Sequence, residues 1–258
     1  MTLRLSTALR SIVLDGGSVK DALQGGKLLI YSGAQPATAD AAPTGTLLAT
    51  ITTSSGAHTP EVQATGTVTL ATGAAGSINT VTVNGINVLD AVGVPFNTSL
   101  AQTATDLAAA INLNRSSPNY TASASGAVVT IKAMRGAGAG ANGFIVTATL
   151  TTLTATFANL SGGVTAVNGL NFGTAAAGVL GKHLTETWSG VAAASGTAGW
   201  FRHLSPIADS GLVDSTESQV RLDGAISTSG SQLNMSSTTI TATATQTITA
   251  YPVTLPTA

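Results

Sequence analysis

The chain has 258 residues, of which 43% are hydrophobic, 8% charged and 4% aromatic, with a formal net charge of −1. Ten Lys and Arg residues give no basic footprint for phosphate neutralisation, which argues against a nucleic-acid partner. The apolar, charge-poor composition is the opposite of a disordered chain, and the lack of cysteine excludes disulfides, Fe–S clusters, thiolate zinc sites and thiol nucleophiles.

Alanine, threonine and glycine make up 114 of the 258 residues, so the core must come from Val, Ile, Leu and Ala rather than from rings. Small side chains bury little area each at about 25 cal/mol per Å². Stability is therefore expected from backbone ladders or partner subunits, and a weakly charged surface is expected to be covered by neighbours. No apolar run approaches the ~20 residues of a spanning helix, so no membrane contact is expected. Residues 1–10 lack the uninterrupted apolar stretch of a secretory signal.

In chain order, Ser6 or Thr7 caps a short amphipathic helix carrying Leu9, Ile12 and Val13 and stopped by Gly16-Gly17. A second helical piece, 18–24, stops at Gly25-Gly26. A compact strand at 27–31, a Pro- and Gly-punctuated loop at 33–45 and a returning strand at 46–53 follow. From about 61 to 165 the texture changes. Residues 67–70 and 78–83 read as a hairpin, with Val68 and Leu70 on one face. Thr98 caps the clearest helix of the chain, where Leu100, Ala104, Leu107 and Ile111 recur at helical spacing as far as Arg115. Residues 120–125 and 128–133 form a hairpin about Gly126, and a Gly-rich loop at 136–143 leads to strands at 144–150 and 153–157. This is a compact α+β module with linkers near Pro60 and 161–163.

The first texture then resumes, with strands at 199–204 and 220–226. From Thr239 to Tyr251 the alternation is strict: the threonines and Tyr251 share one face, while Ile240, Ala242, Ala244, Gln246, Ile248 and Ala250 share the other. At ~3.3 Å per residue this predicts a long uncharged strand that must be paired or covered, closed by Pro252 and Pro256. The expected fold is mainly β with an α+β character. A β-rich host domain (1–60 plus 166–258) with short N-terminal helices is interrupted by an α+β insertion (61–165) with one clear helix.

The residues offer little chemistry. Gly138-Ala-Gly140-Ala-Asn-Gly143 fits the letters of the dinucleotide fingerprint, but a β-branched strand follows where a helix N-terminus is needed, so no cofactor is expected. His58, His183 and His203 are isolated, and His203 reads as a strand residue with a polar tip at a surface or contact. Asp209, Asp214, Glu217 and Asp223 fall in one loop-rich stretch that could offer oxygen ligands, but they read as solvated loop acids rather than a metal site. Trp200-Phe201 reads as core, one ring to each face, rather than a binding platform. No catalytic, cofactor or metal residues are assigned. The segment carrying Leu3, Arg4, Leu5, Leu9, Arg10, Ile12 and Val13 reads as a docking arm, because a short amphipathic helix is marginal alone and wants a groove.

Several segments carry a resemblance: 3–10, Ile30-Tyr-Ser-Gly-Ala-Gln-Pro36, 44–49, Gly169-Leu-Asn-Phe-Gly173, Glu186-Thr-Trp-Ser-Gly190, Gly199-Trp-Phe-Arg202 and 221–230. Together they resemble a family of tailed-bacteriophage virion structural proteins. The middle region resembles the inserted α+β modules of phage virion proteins, with its Thr80-Val-Thr-Val-Asn-Gly85 hairpin and Ala-rich helix. The resemblance implies a non-enzymatic virion component, made in the bacterial cytoplasm, with other virion proteins as partners and homo-oligomerisation. The first expectation is a capsid decoration or cement subunit bound to the major capsid protein. The alternatives are a neck or tail-associated (collar or fibre-anchoring) subunit, or a host-surface adhesin.

Overall fold

A computed structural model describes residues 3–114, 116–216 and 219–254. The fold is mainly β, with 41% strand against 12% helix. The chain divides into two compact units, Met1–Glu61 with Ala166–Ala258, and Val62–Thr165. Among the described residues no helix is long and apolar enough to cross a membrane.

The first unit is built on an antiparallel sheet. Its strand order is Arg4–Leu5, Arg221–Ser227, Gly196–Leu204, Lys27–Ser32, Leu47–Thr53, Trp188–Val191 and Thr245–Ile248. Period-two alternation sorts the central strands between two faces. Leu28, Ile30, Ile51, Phe201 and Leu222 enter the larger core with Phe172, Trp188 and Tyr251. Leu29, Tyr31, Trp200 and Leu204 form a smaller cluster of their own. Trp200 and Phe201 thus go to separate clusters, both buried. Gly224 stands opposite Phe201 in the register, and a methyl there would meet the Phe201 ring at 2.6 Å. The bare glycine gives that ring its seat.

The helix Thr7–Leu14 is capped by Ser6, whose side chain accepts from the Leu9 amide at 3.3 Å. Ser18 caps the helix Val19–Leu23 in the same way. The tail departs from expectation. The run 239–251 is not one strand: Thr239–Ile240 pairs with Gly196–Leu204, the chain bends where Thr243 takes φ +68°, and Thr245–Ile248 pairs with Trp188–Val191. The alternation survives the break, because Ile240 and Ile248 are both buried and the threonines stay exposed. Tyr251 is the exception. It lies outside any strand and is 1% exposed, where the periodicity put it with the solvent-facing threonines. Pro252 does not close the chain's pairing, since Val253–Thr254 pairs with Val179–Leu180; Pro256 lies outside the described residues.

In the second unit the expected hairpin of 67–70 with 78–83 does not form. Thr65–Thr72 pairs with Val128–Lys132 and Thr154–Ser161, while Ser77–Val83 pairs with Val146–Thr151. The stretch 65–83 therefore runs antiparallel along 146–161, from Thr65 opposite Ser161 to Val83 opposite Val146. This one ribbon bends at 73–76 and 152–153 and contributes to both sheets of the unit. The Gly-rich link that reads as a hairpin loop is instead the bend, with Gly73, Gly76 and Thr152 at positive φ. Thr121–Ser125 and Val128–Lys132 do form the expected hairpin. The long helix is Leu100–Leu113, capped by Ser99 rather than Thr98, and it buries Thr103, Ala104, Leu107, Ala108 and Ile111. Arg115, its expected end, lies outside the described residues. A strand follows the Gly-rich 138–143 stretch, as the rejection of a dinucleotide loop required.

Free strand edges and loops are stopped by side-chain amides. Asn112 donates to the Ala122 carbonyl (2.9 Å) and accepts from its amide (2.8 Å), and Asn142 treats Gly163 alike at 2.9 and 2.7 Å. Each amide occupies the place of a neighbouring strand residue.

The bend supplies a test. Gly76 has φ +101° and a Cβ there would lie 1.9 Å from the Thr151 carbonyl oxygen, whereas Gly85, at φ +81°, faces open space. Gly85→Ala should cost about 1 kcal/mol and Gly76→Ala more than about 3 kcal/mol in denaturant unfolding. Equal costs would show that the bend relaxes freely.

Candidate functional site

The N-terminal segment and the charged residues beneath it are the best-organised polar region of the first unit. Arg202 lies directly opposite Asp223 on the adjacent strand. Its Nε and a terminal nitrogen donate to the two carboxylate oxygens at 2.9 and 2.7 Å, a bidentate pair with both side chains fully buried. Two further N–H groups donate to main-chain carbonyls, Gly211 at 3.0 Å and Ala41 at 2.9 Å. The Arg202 guanidinium also sits 5.4 Å from the Trp200 ring centre, and Trp200 stacks on Tyr31 at 4.4 Å.

A second bidentate pair joins Arg221 to Asp209 at 2.7 and 2.8 Å, with Arg221 donating further to the Val213 carbonyl at 2.9 Å. Burial pushes the Asp223 carboxyl up to about 6, against the pull of Arg202 and Arg221. Burial also raises Asp209, but the hydrogen bonds from Arg221 and the Gly211 amide outweigh it and hold that carboxyl below its ordinary value. The expectation of solvated loop acids is therefore corrected for both residues: Asp223 is a strand residue and both are ion-paired. Asp214 accepts from the Ala42 amide at 2.7 Å, and Glu217 lies outside the described residues. Among the described residues no group of three or more potential metal ligands forms.

These pairs fix the loops that carry the N-terminal segment. Asp40 accepts from the Thr7 amide at 3.0 Å and from its hydroxyl at 2.9 Å, placing a carboxylate at the helix N-terminus where the dipole favours it. Ser6 donates to the Gln219 carbonyl and accepts from the Arg221 amide, each at 3.0 Å. Arg4–Leu5 adds a strand to Arg221–Ser227, and Arg4 reaches the Gln35 carbonyl at 3.4 Å. Of the residues assigned to the arm, Leu9 is buried, and Leu3, Leu5, Ile12 and Val13 pack partly buried against the unit's own core. Arg4 is also partly buried, while Arg10 is exposed together with neighbouring Leu14. The groove this segment fills lies in its own unit, and Arg10, Ser11 and Leu14 are left exposed. Leu3 also lines a shallow depression with Gly230, Ser231, Gln232, Pro252 and Thr254.

On the opposite face of the same strand His203 is fully buried, not at a surface as expected. Its Nδ1 lies 3.2 Å from the Tyr251 hydroxyl, its ring stacks on Phe172 at 5.4 Å, and Trp188 stands edge-on at 6.1 Å. Burial drives its pKa down to about 3, with only the Leu23 main chain opposing, and Nε2 makes no well-formed hydrogen bond. Tyr251 was unreadable as core because its place depends on the chain turning out of the strand before it. Arg202, Arg221 and Asp223 had a signal, since charged residues within apolar strand stretches must be either paired or exposed, whereas Asp209 lies in a loop and carried none.

Two outcomes follow. Arg202→Met should destabilise by about 3–5 kcal/mol, because it strands a buried carboxylate, and adding Asp223→Leu should restore part of that loss in chemical denaturation. His203 binds a proton more readily unfolded (6.5) than folded (about 3), so its contribution is complete above pH 6.5 and is lost as pH falls toward 3. Between pH 6.5 and 4.5 the wild type should lose about 2–3 kcal/mol that His203→Phe does not lose; parallel pH profiles would contradict this.

The chain matches no protein-family model, no curated protein and no solved structure in comparisons with all three.

Proposed function

We propose that this chain is a non-enzymatic structural subunit of a tailed-bacteriophage virion, a decoration or cement protein that seats on the capsid shell. The observation that supports the reading most is where the charge lies. In a chain with 8% charged residues, Arg202, Arg221, Asp223 and Glu61 are spent inside. On the first unit Leu14, Leu184, Val191, Leu212 and Val213 stand exposed instead. A surface of apolar and hydroxyl groups with few charges suits burial against symmetric neighbours.

The insertion fits the same reading. In the first unit Thr59 and Val167, on either side of the interruption, exchange main-chain hydrogen bonds at 3.1 and 3.0 Å. In the second, Val62 and Val164 do so at 3.0 and 2.9 Å. Each unit thus brings together the chain ends that an insertion requires.

The deciding measurement is the copy number of this chain relative to the major shell protein in purified particles. A ratio near that of the shell protein is expected; a handful of copies would move the subunit to the neck or tail, and absence would end the virion reading. Replacing 62–165 with a short linker should leave incorporation intact, whereas an adhesin would lose host binding. Deleting residues 1–14 would remove the buried Leu9, so the arm is better tested with Arg10→Glu plus Leu14→Asp. That pair should leave stability within about 0.5 kcal/mol and weaken incorporation at least tenfold; unchanged incorporation would dismiss the arm.

A further inference from the structure

The strand Thr245–Ile248 ends the first unit's sheet and pairs on one side only. The hydrogen-bond phase is set by its neighbours. Just after the strand Trp188–Val191, Ala192 donates to the Ala244 carbonyl at 3.0 Å and accepts from the Thr243 amide at 2.8 Å, while just before it Thr187 accepts from the Ser54 amide at 2.7 Å on the other side. In an antiparallel ladder the sides alternate, so Gln246 and Ile248 bond to Gly190 and Trp188. The amides and carbonyls of Thr245 and Thr247 therefore point outward, and nothing among the described residues bonds them there. Both residues are exposed.

Native sheets guard such an edge with lysine, proline or a bulge. None occurs in 245–248, and no charged residue occurs anywhere from Gly224 to Ala258. The chain can protect an edge when it must, since Asn112 plugs Ala122 in the second unit. The open edge also matches itself. Turned antiparallel about Gln246, Thr245 of one copy faces Thr247 of the other, and about four hydrogen bonds close between outward-facing groups. Gln246 then meets Gln246, and the cross-strand Thr–Thr pairs are of a favourable kind. With no charge on the strand, nothing repels an identical partner.

We propose that Thr245–Ile248 is a self-association edge, joining the sheets of two copies of this chain about a two-fold axis through Gln246. Four residues a side give a weak contact in dilute solution, one that gains from any arrangement holding copies side by side. The pairing requires nothing from a particle, so its failure would leave the virion reading untouched, and the reverse.

Sedimentation of the purified chain across micromolar to millimolar concentration should show a monomer–dimer equilibrium. Thr247→Pro removes an outward amide that the fold does not use, and should weaken association at least tenfold with circular dichroism unchanged. Should that variant misfold, the register has its own test. Thr245→Glu and Thr247→Lys chains should prefer each other to themselves, because the carboxylate introduced at position 245 then faces the ammonium introduced at position 247, whereas in each chain's own dimer the charge faces only a threonine. A wild-type chain that stays monomeric throughout, or a Thr247→Pro chain that associates as before, would overturn the proposal. So would the failure of the Glu and Lys chains to mix while the wild type dimerises.

Discussion

The first unit depends on one constraint: a guanidinium and a carboxylate held fully buried, in register, on adjacent strands. An ion pair in that position costs desolvation that further hydrogen bonds must help offset. Arg202 satisfies it by adding the carbonyls of Gly211 and Ala41 to the carboxylate of Asp223. The pair therefore dictates where the loops through Ala41 and Gly211 run, because each must deliver a carbonyl to a fixed point. Those loops in turn carry Asp40 and Gln219, which hold Thr7 and Ser6. Removing the charge would loosen not one contact but the path of the N-terminus.

Specificity is the natural complement of that cost. A core made largely of Ala, Val, Ile and Leu can be repacked in many nearly equivalent ways. A bidentate pair can be satisfied in one register only, and a slip of one residue would turn Arg202 into the larger apolar core. Side-chain amides act similarly at lower cost. Asn112, Asn142 and Gln232 each close main-chain groups that the small hydrophobic side chains around them cannot.

Much of the fold was legible because it is local. The cap at Ser6 or Thr7, the short helical piece before Gly25-Gly26, the Thr121–Lys132 hairpin and the apolar stripe of the long helix all rest on spacing within a few residues. Apart from the long helix's cap, read at Thr98 but made by Ser99, the failures are long-range. A Gly-rich link between 72 and 77 is equally good as a hairpin loop or as a ribbon bend, and only the partner strand some eighty residues away decides. The tail kept its alternation yet lost its straightness at Thr243, since burial of Ile240 and Ile248 demands only a face and not an unbroken strand. Of the candidate site, the N-terminal residues were readable as an amphipathic stripe, but not that the apolar face packs within the same unit. His203 shows the same limit: a polar residue's burial depends on what a distant Tyr251 and Phe172 enclose.

The register of the two units also sets a timetable for synthesis. Arg4 finds Asp223 only once synthesis has passed residue 223, whereas every strand partner of the second unit is complete once Thr165 has been made. On the ribosome the interrupting unit can therefore reach its native pairing while its host still lacks the strands at 188–191, 196–204 and 221–227. For that interval the N-terminal strands at 27–32 and 47–53 have only each other, and they are apolar and nearly uncharged. The guest domain matures first, and its host waits exposed, which makes the nascent chain's vulnerability a property of topology rather than of stability.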